Sequence, residues 1–282
     1  MFYIPLSYQY LTVTLLIMIS CLCSCSLNKT ILREKDEMFS DLQYTSGDTL
    51  QAEQLQTLPA PVQKWLEKSG AVGKPIIKNA LIKQNMQMKM NPDQKKWHKA
   101  KAEQFINLDQ PGFIWTVKMK PNPLIHITGR DLFYQGHGKM LIRLNSLFNV
   151  VNASGSKIDE GALQRYLGEI VRSPSAVLNP CISWQPVDSL SAKAVMNYMG
   201  TQGEGIFYFN EEGDFTRFTS LRYMENTPEA KRYLWEISVQ AYKEFEGIRV
   251  PSVMEATWHL DNKDWTWLKL ELDDIQYNKK IK

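Results

Sequence analysis

One strongly helical segment, running from Asp159 through Leu163, Arg165, Tyr166, Leu167, Glu169, Ile170 and Val171 to Pro174, sits inside a chain that otherwise reads as β-strand from Lys74 onward. Leu163, Tyr166, Leu167, Ile170 and Val171 recur at the 3.6-residue period and make one apolar face. Asp159 suits the N-cap, and Pro174 stops the helix just past its last turn. A sheet must bury a face against something, and this helix is the partner the chain offers. The expected architecture is mainly β with α (α+β), a curved antiparallel sheet or half-barrel wrapped around a central helix at 159–173.

The strands follow from a period of two. After Gly73, residues Ile77 to Lys89 alternate with Lys78 to Met90, and the second set becomes the more apolar toward its end. That strand is expected to swap its buried face midway or to twist through a bulge. Turn residues at Asn91-Pro92-Asp93, Gln110-Pro111-Gly112, Gly136-His137-Gly138, Glu211 to Asp214, Glu246-Gly247 and Asp261 to Asp264 punctuate the rest, with Lys139 to Val151 reading as one return strand. About ten to eleven strands result. Gly203-Glu204-Gly205 reads as a turn. Ahead of the strands, prolines open a short helix over 58–70, Val62, Trp65 and Leu66 give it an apolar side, and Gly70 closes it. Residues 58–282 are therefore expected to form a single β-rich domain.

The N-terminus carries an apolar run from Tyr10 to Leu27, long enough to enter a membrane and barely long enough to span one. Leu22-Cys23-Ser24-Cys25 resembles a bacterial lipobox that makes Cys25 the lipid-attachment residue, and Met18-Ile19-Ser20-Cys21 is a poorer second frame. Residues Met1 to Gln9 contain no Lys or Arg, a departure from the basic start of signal peptides, so an uncleaved anchor and a cleaved signal stay open beside the lipoprotein. Each places the body on or across a membrane, in the cell envelope and outside the cytoplasm. Residues 28–57 are polar, with a charge run from Arg33 to Glu37, and read as a solvated linker.

Composition excludes several functions. Thirty-three basic against thirty acidic residues leave a net charge of +3, too even for nucleic acid. No G-x-S-x-G, H-E-x-x-H, Walker or C-x-x-C motif occurs. His98, His126, His137 and His259 are scattered without ligand spacing, so neither a metal nor a cofactor is expected. Cys181 stands alone outside the leader and reads as a small buried hydrophobe rather than a nucleophile.

The segments Leu58-Pro-Ala-Pro-Val-Gln63, Pro111-Gly-Phe-Ile-Trp115, Gly129-Arg-Asp131, Gln164-Arg-Tyr-Leu-Gly-Glu169, Pro174-Ser-Ala176 and Gly247-Ile-Arg-Val-Pro251 occur in the order found in a family of bacterial proteins known as a domain of unknown function. The chain resembles that family from about Leu58 to Asn278. The resemblance implies no activity. At fold level the expected wrapped sheet is similar to the half-barrel of outer-membrane lipoprotein carriers, an analogy that does not settle function.

The candidate site comes from charges at apolar positions. Arg130 and Asp131 fall in the middle of a strand, while Arg165 and Glu169 share a helix face beside the buried stripe. If the sheet wraps the helix, Arg130 or Asp131 meets Glu169 or Arg165. The contact reads as an ion-pair latch, as the polar end of an apolar ligand cavity with Arg holding a carboxylate or phosphate head group, or as an acid/base pair of Asp131 and Glu169 in a hydrolase. Tyr134 and Trp184 join Arg130, Asp131, Arg165 and Glu169 as expected ligand-binding residues; no catalytic residue is assigned. The leading expectation is an envelope protein, more a binder than an enzyme, holding a lipid or other apolar ligand between sheet and helix. The alternative is a scaffold that shows a sheet edge or face to a protein partner.

Overall fold

The computed structural model describes residues 27–42 and 48–281. Cys25 and nearly all of the apolar run lie outside the described residues; among the described residues no helix is long and apolar enough to cross a membrane. Leu27, the last residue of the apolar run, and residues 28–39 of the stretch read as a linker form helix α1 (27–39). Its Met38 and Phe39, with Leu42 just beyond, pack on Phe105, Ile114 and Leu132; of the charge run, Arg33, Asp36 and Glu37 are exposed, while Glu34 and Lys35 are half-buried. Helix α2 covers Ala60–Ser69, buries Val62, Trp65 and Leu66, and ends at Gly70 in the left-handed conformation (φ 70°).

Thirteen strands follow: β1 (Asn79–Met88), β2 (His98–Asn107), β3 (Gly112–Asn122), β4 (Ile125–Tyr134), β5 (His137–Leu144), β6 (Phe148–Ser154), β7 (Ile182–Asp188), β8 (Ser191–Tyr198), β9 (Thr201–Phe209), β10 (Phe215–Tyr223), β11 (Arg232–Phe245), β12 (Ile248–His259) and β13 (Asp264–Tyr277). All pair antiparallel in one sheet ordered β6-β5-β4-β3-β2-β1-β13-β12-β11-β10-β9-β8-β7. Two meanders therefore join through β1 and β13, and helix α3 (Ser156–Glu169) connects the two edge strands. Flat, thirteen strands spaced ~4.8 Å apart would span on the order of 60 Å. Fourteen helical residues reach only ~21 Å. Curling lets α3 cross the hollow of the sheet, and it packs on β9, β5, β10 and β4. The curl also brings the β4–β5 turn onto the β8–β9 turn, where the Thr201 hydroxyl donates to the Gly136 carbonyl at 2.8 Å.

The mainly-β half-barrel around a central helix matches the sequence reading, but with thirteen strands rather than about ten to eleven. Lys139 to Val151 is not one strand: it breaks into β5 and β6 at Asn145-Ser146, whose φ values of 50° and 59° make a turn without the usual glycine. Strand β1 does not swap faces. Ala80, Ile82, Gln84, Met86 and Met88 all point inward, and the register shift opposite Lys83/Gln84 places the extra residue, Asp273, on β13. Gly203 and Gly205 are not a turn but inward positions of β9. A Cβ on Gly203 would come within 2.7 Å of Leu163, and one on Gly205 would collide with the Phe218 ring. The helix begins at Ser156 after Gly155, so Asp159 is not its cap; the Asp159 carboxylate instead accepts the Gly138 N–H at 2.7 Å. Beyond Glu169 the chain tightens into 3-10 turns at Ile170–Arg172 and Pro174–Leu178. Leu163, Tyr166, Leu167, Ile170 and Val171 are all buried, as their spacing requires.

Candidate functional site

Strand β4 carries Arg130 and Asp131 into opposite sides of the sheet. Asp131 points into the hollow, where its carboxylate meets the Arg165 guanidinium of α3 at 2.5 Å. Arg165 also holds Glu169, one helical turn on, at 3.0 Å, and lies over the rings of Phe113 and Trp115 with centroids 4.9 and 4.8 Å away. Glu169 in turn pairs with Arg172 at 2.5 Å. Two guanidiniums thus face two carboxylates. The strands complete the cluster with amides. The Trp115 indole N–H donates to Gln84 (3.0 Å), Gln84 donates to Gln104 (3.1 Å), and Gln104 donates to Glu169 (2.6 Å).

Burial works to raise the Glu169 carboxyl, but Arg165, Arg172 and the Gln104 amide outweigh it and hold it below the usual glutamate value. Burial pushes the Asp131 carboxyl up against the pull of Arg165. Burial likewise lowers Arg172, whereas the two carboxylates outweigh burial at Arg165 and raise it. An acid/base pair needs carboxylates free to exchange protons with a substrate. Here both are tied to Arg165, the ion-paired arrangement that argues against a hydrolase.

Next to the cluster lies a cavity of about 230 Å³, bounded by α3 and the inner faces of β1, β3, β4, β5 and β11 to β13. Its walls are mostly apolar: Met88, Val117, Met119 and Ile127 on one side, Trp235, Ile237, Met254 and Leu268 on the other. Asp131, Arg165 and Glu169 form its polar patch, their side chains 12 to 16 % exposed. Met90, which is 44 % exposed, lines the cavity together with Trp265 and Trp267 at the end of the sheet that carries the loops at 89–97, 123–124, 145–147 and 260–263, hereafter the rim.

Three of the six expected ligand-binding residues, Asp131, Arg165 and Glu169, come together at this cavity. Arg130 adjoins it through its place in β4, but its guanidinium lies on the outer face, 3.4 Å from Glu34 of α1. Tyr134 also faces outward and donates to the Glu37 carbonyl at 3.2 Å. Trp184 packs at a tilt against Phe207 (ring centroids 4.9 Å apart) and donates to the Val177 carbonyl, away from the cavity. Trp115, one of the strand aromatics, and Arg172, a further charge of the helix, join the cluster, and so do two residues that the sequence reading misses, Gln84 and Gln104. Their signal is local: Gln84 interrupts the inward series Ala80, Ile82, Met86 and Met88, and Gln104 interrupts Ala102 and Ile106. Cys181 is partly buried, and burial pushes its thiol up, opposite to an activated nucleophile. Among the described residues no three His, Cys, Asp or Glu side chains gather as a metal site.

A family model described as a family of unknown function (DUF6544) matches residues 48–270. Among solved structures, a LolA superfamily protein from Nitrosomonas europaea aligns with 78 % of this chain and 94 % of its own, at 9 % identity and a TM-score of 0.43. A search of curated proteins found no match.

Proposed function

The chain belongs to the DUF6544 family, and we propose that it is a cell-envelope protein, held at a membrane by its N-terminal run, that binds a lipid or other apolar ligand between the curled sheet and α3. The carrying observation is the apolar cavity beneath α3. A sheet that needed the helix only as a core filler would close on it, as it does around Phe207, Phe215 and Phe218. Between Met119 and Trp235 it does not. Methionine walls adapt to apolar ligands of varied shape. The Asp131–Arg165–Glu169 patch gives the ligand's polar end hydrogen-bonding partners on one wall. The scaffold alternative calls for a filled core, which the cavity disfavours.

Native mass spectrometry of the body from residue 27 onward, purified without detergent from a bacterial host, tests the reading. The expected spectrum carries an extra lipid-sized mass that disappears in Ala256→Phe, a variant that fills the cavity wall, while circular dichroism stays native. A clean apo mass with no uptake of added fatty acid or phospholipid overturns it.

A further inference from the structure

The outer face of the rim carries an unbalanced block of lysines. Ala100 and Met119 are a cross-strand pair pointing inward, which turns Lys99, Lys101, Lys118 and Lys120 outward from neighbouring strands. Lys101 lies directly opposite Lys118, an arrangement of like charges that costs the sheet stability. All four are exposed, and among the described residues none is ion-paired. With Lys269 they line one outer groove, against Glu255 and Glu271; Glu255 is already held by Lys269 at 2.8 Å.

Beside this block the rim exposes apolar side chains. Leu124, in the loop that follows Lys120, is 83 % exposed, and Phe148 at the start of β6 is 66 % exposed. Their loops are fastened together: the Asn145 amide donates to the Leu124 carbonyl at 3.2 Å and accepts the His126 N–H at 2.7 Å. Helix α1 adds a third observation. The Met38 carbonyl accepts from Asn107 at the end of β2 far from the rim, whereas Glu34 meets Arg130, nearer the rim. The helix therefore aims its N-terminus toward the rim, and the apolar run Tyr10 to Leu27 adjoins that terminus in sequence.

We propose that the rim docks on an anionic lipid bilayer, with Leu124 and Phe148 entering the interface and Lys99, Lys101, Lys118 and Lys120 lying among the anionic head groups. Lysines among anionic head groups and apolar side chains at the acyl boundary together make a surface-binding patch. The contact turns the end of the cavity lined by Met90, Trp265 and Trp267 toward the membrane. The inference stands on the outer face and does not depend on what the cavity holds.

Hydrogen–deuterium exchange of the full chain reconstituted on vesicles tests it, with phosphatidylcholine alone compared with phosphatidylcholine mixed with phosphatidylglycerol. On the proposed function the N-terminal run attaches to both, so only the rim reports the difference. Amides of the 89–97 and 145–147 loops should exchange on the order of tenfold slower on the anionic vesicles, and the turn at 210–214, at the other end, should not change. Lys118→Glu/Lys120→Glu should abolish the protection. That variant should fold, because the carboxylate introduced at position 118 faces Lys101 and replaces a like-charge pair with an opposite one. Leu124→Asp should weaken the protection independently. Equal exchange on both vesicle types, or protection that survives the lysine changes, overturns the proposal, including in favour of an acidic protein segment as the occupant.

Discussion

Arg130 and Asp131 are successive residues of β4 that bind helices on opposite sides of the sheet: Arg130 reaches Glu34 on α1 at 3.4 Å, and Asp131 reaches Arg165 on α3 at 2.5 Å. Strand alternation alone produces this division. The outer pair ties the N-terminal helix to the strand that also forms the cavity wall. Arg130→Met should release α1, seen as faster hydrogen exchange at residues 27–39, while the amides of β4 keep their protection. Unchanged exchange in α1 would mean that Met38, Phe39 and Leu42 hold it without the ion pair.

Arg165 neutralises two carboxylates that are mostly buried. Arg165→Met leaves Asp131 with no cation at contact distance and Glu169 with Arg172 alone, a loss on the order of 3–5 kcal/mol for breaking a buried pair. Urea unfolding at neutral pH measures it. Adding Asp131→Leu to Arg165→Met should recover part of the loss, because the stranded carboxylate is then gone. Simple additivity of the two changes would argue that the pair does not act as a latch.

The lowered pKa of Glu169 sets a pH dependence. A carboxyl whose folded value lies below its unfolded value adds stability that is present above the unfolded pKa and lost as pH falls through the folded one. The stability gap between the wild type and Glu169→Gln should therefore be widest near neutrality and close on acidification. A gap that stays constant down to the acid transition would show that Glu169 is not held ionised by Arg165 and Arg172.

Phe218 occupies the space left by two glycines, Gly168 on α3 and Gly205 on β9. A Cβ on Gly168 would approach the Phe218 ring to 2.7 Å and the Ile237 side chain to 3.1 Å. Gly168→Ala should lift α3 from the sheet and cost ~1–3 kcal/mol as overpacking, read as a lower Tm. Phe218→Leu in the same chain should return part of that loss by making room.

Much of the scaffold was legible because its signals are local. The apolar stripe of α3 and the proline and glycine that bound α2 each depend on a few neighbouring residues. The β5–β6 turn was not, since Asn145 and Ser146 take positive φ without a glycine to mark it. Gly203 and Gly205 read as a turn because the crowding they relieve comes from Leu163 and Phe218, outside their own strand. Nothing local to Tyr134 or Trp184 fixes its place, and only the packing of α1 and of Phe207 against them accounts for where they lie.

The residues by themselves determined that strands with a two-residue period would wrap one amphipathic helix, and that Asp131, Arg165 and Glu169 were charges in need of partners. Which partners they found was decided by the tertiary structure. Asp131 and Arg165 are 34 residues apart, Gln104 and Glu169 are 65 apart, and both pairs exist only because the sheet curls under a helix joining its two edges. Alternation assigns Arg130 and Asp131 to opposite faces, but it does not say which face is the inside. That choice belongs to the helix that covers the sheet, because burial is a property of the assembled layers and not of the strand.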